Sequence, residues 1–213
     1  GLNAHNAVQI ALWERARSGR GQFLEMSMME NLGVLHQFTF EMETYSGVVR
    51  NRNGLQWNKV GPFASYGITT LPCDDGYVAF GASTEDQWER LCAMLGREDL
   101  LDDPEFDTRL KRSQKSDTLD SLITDWMKGK TRQEVFLESS EKWFLPVAPV
   151  LNLNEVLRDP QFVQRNLFQP LSHPEAGEAL YPTFPFAMSE IKPTVARAPL
   201  LGEHTFDVLG GLA

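Results

Sequence analysis

A glycine-containing turn, Ser-Gly-Arg-Gly-Gln at residues 18–22, constrains the fold more than any other feature of this sequence. Before it, residues 2–17 carry apolar side chains at helical spacing, which predicts a helix. After it, residues 23–26 predict a strand, and Ser27 is a suitable N-cap for a helix over residues 28–45. The glycines supply the backbone freedom that such a turn needs. This order of elements is typical of an α/β fold.

A second unit is predicted to begin near Phe63. Alternating residues at 65–71, an Asp-Asp-Gly turn at 74–76 and a further apolar run at 77–80 predict a β-hairpin. Residues 83–86 are polar and acidic, as at the start of a helix, and Gly96 is placed to end that helix. Its predicted apolar face consists of Trp88, Leu91, Cys92 and Leu95.

The remaining elements alternate short helices with extended segments. We predict a turn at 103–106, one amphipathic helix at 110–127, a capping box at 131–134, a strand at 147–150, short helices within 154–165, extended chain over 167–199 and a last helix after Gly202. Trp88, Trp126 and Trp143 occupy apolar helical positions, so we expect all three in the core.

The charge balance narrows the range of partners. Lysine and arginine number 20 against 29 aspartate and glutamate residues, which gives a net charge of −9. This argues against a nucleic-acid or anionic membrane surface as the main partner, and no apolar run is long enough to cross a bilayer. Cys73 and Cys92 have no metal or redox spacing, so we expect two reduced thiols and no metal site.

Four stretches in a fixed order cover nearly the whole chain. They are the helix, turn and strand at 1–27; residues 66–97 with Asp75-Gly76-Tyr77-Val78 and Gln87-Trp88; Asp103-Pro104-Glu105-Phe106 with Arg112, followed by 146–150; and Asp159-Pro160-Gln161 and Arg165 with the tail Pro199-Leu200-Leu201-Gly202-Glu203-His204-Thr205. Together they resemble the class III CoA-transferase family, also called the CaiB/BaiF family.

The resemblance implies a doubly wound α/β large domain, only partly present here, with an inserted small α+β domain. Residues 1–45 would close the N-terminal segment of the large domain, 46–62 would be a linker or loop, 63–145 the small domain and 146–213 the return to the large domain. The family also implies a cytoplasmic, interlocked homodimer that acts on an acyl-CoA and a small carboxylic acid, with coenzyme A thioester as substrate and no tightly bound cofactor.

The same resemblance places the catalytic residue outside this sequence. Family members use an aspartate nucleophile that would lie just upstream of Gly1, and residues 1–17 contain no aspartate. Gly1 falls inside a helical pattern, so we expect the natural chain to begin further upstream. We therefore expect no catalytic residue within these 213 residues and no turnover by this chain alone.

The loop at 46–62 holds the candidate substrate-binding residues. Gly54, Asn58 and Lys59 fall where some relatives have a glycine-rich loop over the reacting acyl group, and an amide or ammonium group there could hold a carboxylate. The run of successive glycines typical of formyl-CoA transferases is absent, which weakens an assignment to oxalate and formate. An ordinary solvent-facing linker is the alternative interpretation.

Two other functions stay open. A 2-methylacyl-CoA racemase of the same superfamily would use an acid/base pair instead of a nucleophile, and a non-catalytic interaction domain or remnant would use neither. Three further features have both a chemical and a structural interpretation. The arginines at 15, 17 and 20 could form a phosphate patch or a helix end that favours cations, and Glu203 with His204 could be a catalytic dyad or a cap. Glu85 lies near a position where the racemases have a functional acid, but the spacing differs.

Overall fold

The computed structural model describes residues 1–49, 52, 64, 66–191 and 194–211. It contains both helices and antiparallel sheets, and the chain separates into two compact units, Gly1–Val150 and Leu151–Ala213. Mixed helix and sheet was predicted from the sequence, and the described residues confirm it at that level. Each unit is described separately below.

Three helices form the first part of the first unit. Helix α1 spans Leu2–Ser18 and ends at Gly19, whose φ of 72° is left-handed. Helix α2 spans Met28–Leu35, and the Ser27 side chain accepts a hydrogen bond from the Glu30 N–H at 3.3 Å, as predicted. Helix α3 spans Gln37–Ser46.

Two predictions for this region are wrong in detail. The single helix expected over 28–45 is interrupted at His36, where φ is −97° and ψ is 18° and the N–H bonds back to the Gly33 carbonyl. Residues 23–26 form no strand. An isolated extended segment gains no ladder hydrogen bonds, and none of the described strands pairs with this one.

An antiparallel sheet forms the centre of the first unit. Strand β1, Ile68–Cys73, pairs with β2, Gly76–Gly81, through the predicted Asp-Asp turn, so that Leu71 faces Val78 across the pair. Strand β3, Val147–Pro149, pairs antiparallel with β2 and gives the order β1-β2-β3. Residues 147–149 therefore belong to the same sheet as the hairpin.

Helices cover this sheet. Helix α4, Glu85–Leu95, has a capping box between Thr84 and Gln87 and ends at left-handed Gly96. The elements that follow are a 3₁₀ turn at Glu98–Leu101, α5 at Arg109–Gln114, α6 at Ser116–Met127, α7 at Arg132–Leu137 and a π-helical turn at Glu138–Lys142. The capping box at Thr131 and Glu134 is confirmed. The helix predicted over 110–127 is divided at Lys115, where φ is −100° and ψ is 19°.

One hydrophobic core holds the sheet and these helices together. It runs from Tyr66 to Val147 and includes Trp88, Leu91 and Cys92 of the predicted α4 face. Met94 is buried in place of Leu95, which is only partly buried. The predicted tryptophans contribute as expected, since Trp88 lies in the core and Trp126 and Trp143 pack against it.

Residues 1–46 have a different character. Met42 is fully buried, whereas large apolar side chains elsewhere on these helices are exposed: 70% for Ile10, 71% for Trp13, 85% for Met28 and 81% for Met29. Apolar surface on this scale is typical of faces that another protein surface covers.

The second unit is built from short elements. They are α8 at Leu153–Val156, α9 at Pro160–Gln164, an antiparallel hairpin of β4 at Phe168–His173 and β5 at Gly177–Pro182, and α10 at Thr205–Gly210. The predicted short helices, extended segment and last helix are confirmed. The pairing of the extended segment into a hairpin was not predicted, although Gly177, with φ of 79°, follows the turn that makes it.

The first prediction concerns Gly67, just before β1. Its φ is 125°, and an added Cβ would lie 2.3 Å from the backbone oxygen of Ala82. We expect Gly67→Ala to lower the free energy of unfolding by about 3 kcal/mol, because the clash is with backbone that cannot move aside. Gly96→Ala is the matched control, since its φ is 65° but the space beside it is open, and about 1 kcal/mol is expected. Urea unfolding measures both, and equal losses would contradict the steric explanation.

Candidate functional site

The predicted substrate-binding residues Gly54, Asn58 and Lys59 lie outside the described residues. The structure describes the two borders of their segment. At the upstream border, α3 ends at Gly47, which has a φ of 66° and donates its N–H to the Glu43 carbonyl at 2.8 Å. The downstream border is the chain that enters β1.

The downstream border is fixed in the core of the first unit. Ala64 and Tyr66 are buried, and the Tyr66 hydroxyl donates to the Asp120 carboxylate of α6 at 3.0 Å. Burial, with the neighbouring Asp120 charge, raises the pKa of Tyr66 well above its ordinary value. The Gly67 carbonyl accepts from the Ala82 N–H at 2.6 Å. Tyr66 and Gly67 therefore hold the entry to β1 in a defined position.

A buried arginine, Arg112, connects two of the stretches that resemble the family. The Arg112 side chain is 5% exposed, and its guanidinium lies 4.7 Å from the Trp88 ring centroid. Its Nε donates to the Phe106 carbonyl at 2.7 Å, and one terminal nitrogen donates to the Glu85 carboxylate. Arg112 thus ties the turn at 103–106 to the start of α4.

Glu85 is occupied by the same cluster. One oxygen binds Arg112, and the other accepts from Arg109 at 3.3 Å. The hydrogen bond from Arg112, its charge and the Arg109 contact lower the pKa of Glu85. An ionised carboxylate held by two arginines is a poor proton donor, so this geometry favours a structural role for Glu85 over the acid of a racemase.

The turn of the first hairpin is bound in a similar way. The Asp75 carboxylate accepts from the Arg132 N–H at 2.7 Å and from its side chain at 3.3 Å, and these bonds lower the pKa of Asp75. Arg132 also donates to the Val150 carbonyl at 2.8 Å. The Asp75-Gly76 stretch therefore links the hairpin turn to α7 and to the end of β3.

The C-terminal stretch that contains Glu203 forms a closed loop before α10. The carboxylate of Glu203 accepts from both terminal nitrogens of Arg197 and from the Leu200 N–H. Together these contacts lower the pKa of Glu203 to about 2. The carboxylate is thus committed to the loop, which favours the capping interpretation of Glu203-His204 over a catalytic dyad.

His204 lines an open cavity of about 440 Å³ with Pro199, Leu200, Val208 and Leu209. This cavity belongs to the tail of the second unit, and its walls are mainly apolar. Glu203 also lines this cavity, but its carboxylate is bound to Arg197, so the arrangement does not resemble a nucleophile–base site.

The arginines near the first turn do not converge on a ligand site. Arg15 and Arg17 lie in the last turn of α1, where a cation interacts favourably with the helix carbonyls. The Arg20 N–H donates to the Ser18 hydroxyl at 3.3 Å, and all three side chains are exposed. The helix-end interpretation therefore explains these residues.

The described residues contain neither a metal-binding cluster nor a membrane-spanning helix, and their two cysteines are unpaired. Within the described ranges, no group of three or more histidine, cysteine, aspartate or glutamate side chains could hold a metal ion. No helix in that same part of the chain is long and apolar enough to cross a membrane. Cys73 and Cys92 are free thiols, and burial raises the pKa of Cys92 to about 12.

The second prediction tests the Arg112 cluster. We expect Arg112→Met to lower the free energy of unfolding by about 3 kcal/mol, since it leaves a buried carbonyl unpaired and removes the contact with Trp88. Arg109→Met is the control because Arg109 binds the same glutamate but is 53% exposed, and its expected loss is about 0.5 kcal/mol. Guanidinium unfolding, followed by tryptophan fluorescence, measures the free energy of unfolding of both variants. Comparable decreases in the two variants would contradict the stabilising role of Arg112.

The third prediction concerns Glu203. Its pKa in the folded chain is about 2, below the ordinary value of 4.5. The ionised carboxylate therefore contributes to folding stability at a pH above 4.5, and this contribution is lost as the pH falls toward 2. We expect its carboxyl carbon to titrate near 2 by NMR and to return toward 4.5 in Arg197→Gln. A midpoint near 4.5 in the unsubstituted protein would show that the Arg197 contact is not formed in solution.

Comparison with known proteins covers almost the whole chain. The sequence profile of CoA-transferase family III matches residues 1–205. A succinyl-CoA:mesaconate CoA-transferase from Haloarcula hispanica is 30% identical over 209 residues, which cover 96% of this chain and 50% of that protein. A formyl-CoA:oxalate CoA-transferase from Streptomyces coelicolor is 32% identical over 227 residues, which cover 99% and 54%.

A solved structure gives the same result for the fold. The crystal structure of a CaiB/BaiF family protein from Brucella suis superimposes with a TM-score of 0.74 at 25% identity, covering 100% of this chain and 54% of that one. The chain spans about half the length of the curated relatives that it matches. With the profile match across residues 1–205, these likenesses show that the chain belongs to CoA-transferase family III, as its sequence motifs predicted.

Proposed function

We propose that this chain is part of an enzyme that moves coenzyme A from an acyl-CoA thioester to a small carboxylic acid. The observation that carries the proposal is the profile match over residues 1–205. Relatives named as transferases between succinyl-CoA and mesaconate, D-citramalate or glutarate, and between formyl-CoA and oxalate, support it. In each of these names, the acceptor is a small carboxylic acid.

The proposed chemistry needs a carboxylate nucleophile, which we place on an aspartate upstream of Gly1. Its oxygen attacks the carbonyl of the donor thioester, and the C–S bond breaks. The CoA thiolate departs, and a mixed anhydride of the aspartate and the donor acid remains. The thiolate then attacks the aspartyl carbonyl, releasing the donor acid and forming an aspartyl-CoA thioester. The acceptor carboxylate then attacks that thioester, the C–S bond breaks, and the CoA thiolate leaves as a second anhydride forms. The thiolate attacks the acceptor carbonyl of this anhydride, which gives the new acyl-CoA and releases the aspartate carboxylate.

We assign acceptor binding to Gly54, Asn58 and Lys59. An ammonium or amide group that pairs with a carboxylate positions the acceptor and shields a water-sensitive anhydride. The anchoring of Tyr66 and Gly67 supports this assignment, since it fixes where the chain enters β1.

The domain and assembly proposals follow the family. The small domain would run from residue 63 to Pro149, and not only to 145, because β3 pairs within its sheet. Residues 1–45 and 151–213 would belong to the large domain, with 46–62 as the linker or loop. The core that runs from Tyr66 to Val147 supports a separate small domain. The exposed apolar side chains of residues 1–46 support an interlocked homodimer, and the two free thiols are compatible with the cytoplasm.

The fourth prediction tests transfer against racemisation. The protein from the complete reading frame is incubated in D₂O with succinyl-CoA and a dicarboxylate acceptor, or with a 2-methylacyl-CoA and no acceptor. We expect a new acyl-CoA in the first reaction and no deuterium at the α-carbon in the second. Deuterium incorporation without transfer would instead support the racemase. If neither reaction gives its product, the non-catalytic interpretation is favoured.

The same assay tests the acceptor-binding residues. Lys59→Ala is expected to raise the acceptor KM about tenfold, equivalent to about 1.4 kcal/mol, with a smaller effect on the KM of the donor. Lys128→Ala removes a lysine whose side chain is 75% exposed and serves as the control. An unchanged acceptor KM in Lys59→Ala and Asn58→Ala would leave the segment as a linker.

A further inference from the structure

A second place in the molecule has the features of a ligand site. Two adjoining cavities of about 350 and 240 Å³ lie within the second unit. Arg165, Phe184, Phe186 and Ala187 line both of them, so the two cavities form one continuous depression. The larger cavity alone lies within the range usual for small-molecule sites. None of the residues discussed above as catalytic or substrate-binding lines it.

Arg165 is the cation of this depression. Among the described residues it forms no ion pair, although residues 151–213 contain seven acidic and four basic residues. Arg197, by comparison, is fully engaged with Glu203. An unpaired guanidinium that lines a cavity is suited to a carboxylate or phosphate, which it can bind through two parallel hydrogen bonds.

The backbone around Arg165 is held in place. Arg165 is the C-cap of α9, and the next residue, Asn166, has a φ of 52° in the left-handed region. The Thr183 hydroxyl donates to the Asn166 carbonyl at 3.2 Å, and the Thr183 N–H donates to the Leu167 carbonyl at 2.7 Å. These bonds join the end of α9 to the chain that follows β5, so the polar side of the depression is preorganised.

The other side of the depression is aromatic. The Phe184 and Phe186 ring centroids are 5.6 Å apart with a 45° angle between the ring planes. The two side chains are 41% and 53% exposed, so their surfaces are accessible to a ligand. A flat π-system gains from such contacts beyond the area it buries.

We propose that this depression, which Arg165 and the two phenylalanines define, binds an anion carried on a flat aromatic body. The guanidinium takes the anionic group, and the rings take the aromatic body. Two ligand classes share that chemistry: the phosphorylated adenosine end of coenzyme A and an aromatic carboxylic acid. The assignment to coenzyme A rests on the proposed function, whereas the preference of the depression for an aromatic anion does not.

The fifth prediction is a binding measurement that needs no turnover. The protein from the complete reading frame is titrated calorimetrically with adenosine 3′,5′-bisphosphate and, separately, with phenylacetate. We expect one of them to bind and Arg165→Gln to weaken it about tenfold, while Arg165→Lys loses less because it keeps the charge. Arg158→Gln, which removes an exposed arginine of the same unit, is the control and is expected to change Kd less than twofold.

The outcomes are separable. Binding of the bisphosphate identifies the nucleotide end of coenzyme A, and binding of phenylacetate identifies an aromatic acid. No binding of either, or binding that Arg165→Gln leaves unchanged in a variant with unaltered thermal unfolding, overturns the inference. Arg165-dependent binding in a protein without CoA-transfer activity would sustain this site while removing the proposed function.

Discussion

The contact between Arg112, Trp88 and Glu85 is the interaction on which the described part of the first unit most depends. A guanidinium with a side chain only 5% exposed is costly unless its donors are paired. Here they bind the Phe106 carbonyl and the Glu85 carboxylate while the flat face covers Trp88. One side chain thus joins a turn, the start of α4 and the hydrophobic core.

The motifs that reveal the family are mostly structural in the described residues. Asp75 fastens the hairpin turn to Arg132, and Glu203 closes its loop through Arg197. Their carboxylates are ionised and committed to these bonds, which leaves them unsuited to proton transfer. These carboxylates therefore stabilise the fold, and we propose that the segment at 46–62 and an upstream aspartate carry the chemistry of CoA transfer. The residues that identify the family are therefore not the residues that we propose for the chemistry.

Much of the fold could be predicted because its signals are local. The polar residues 83–86 at its start and Gly96 at its end specify α4 almost to the residue. The break at Lys115 and the missing strand at 23–26 could not be predicted, because they depend on whether neighbouring elements supply hydrogen bonds. The same limit applies to the depression around Arg165, since its walls come together only when the second hairpin folds. The roles of Gly54, Asn58 and Lys59 stay predictions.

We propose that these residues provide the framework and that the nucleophile is an aspartate upstream of Gly1. The most direct test is to incubate the protein from the complete reading frame with acyl-CoA in the absence of acceptor, and to locate the covalently bound CoA by peptide mass spectrometry. We expect a CoA thioester on an aspartate upstream of Gly1. A thioester on a carboxylate within these 213 residues, such as Glu85, would contradict it.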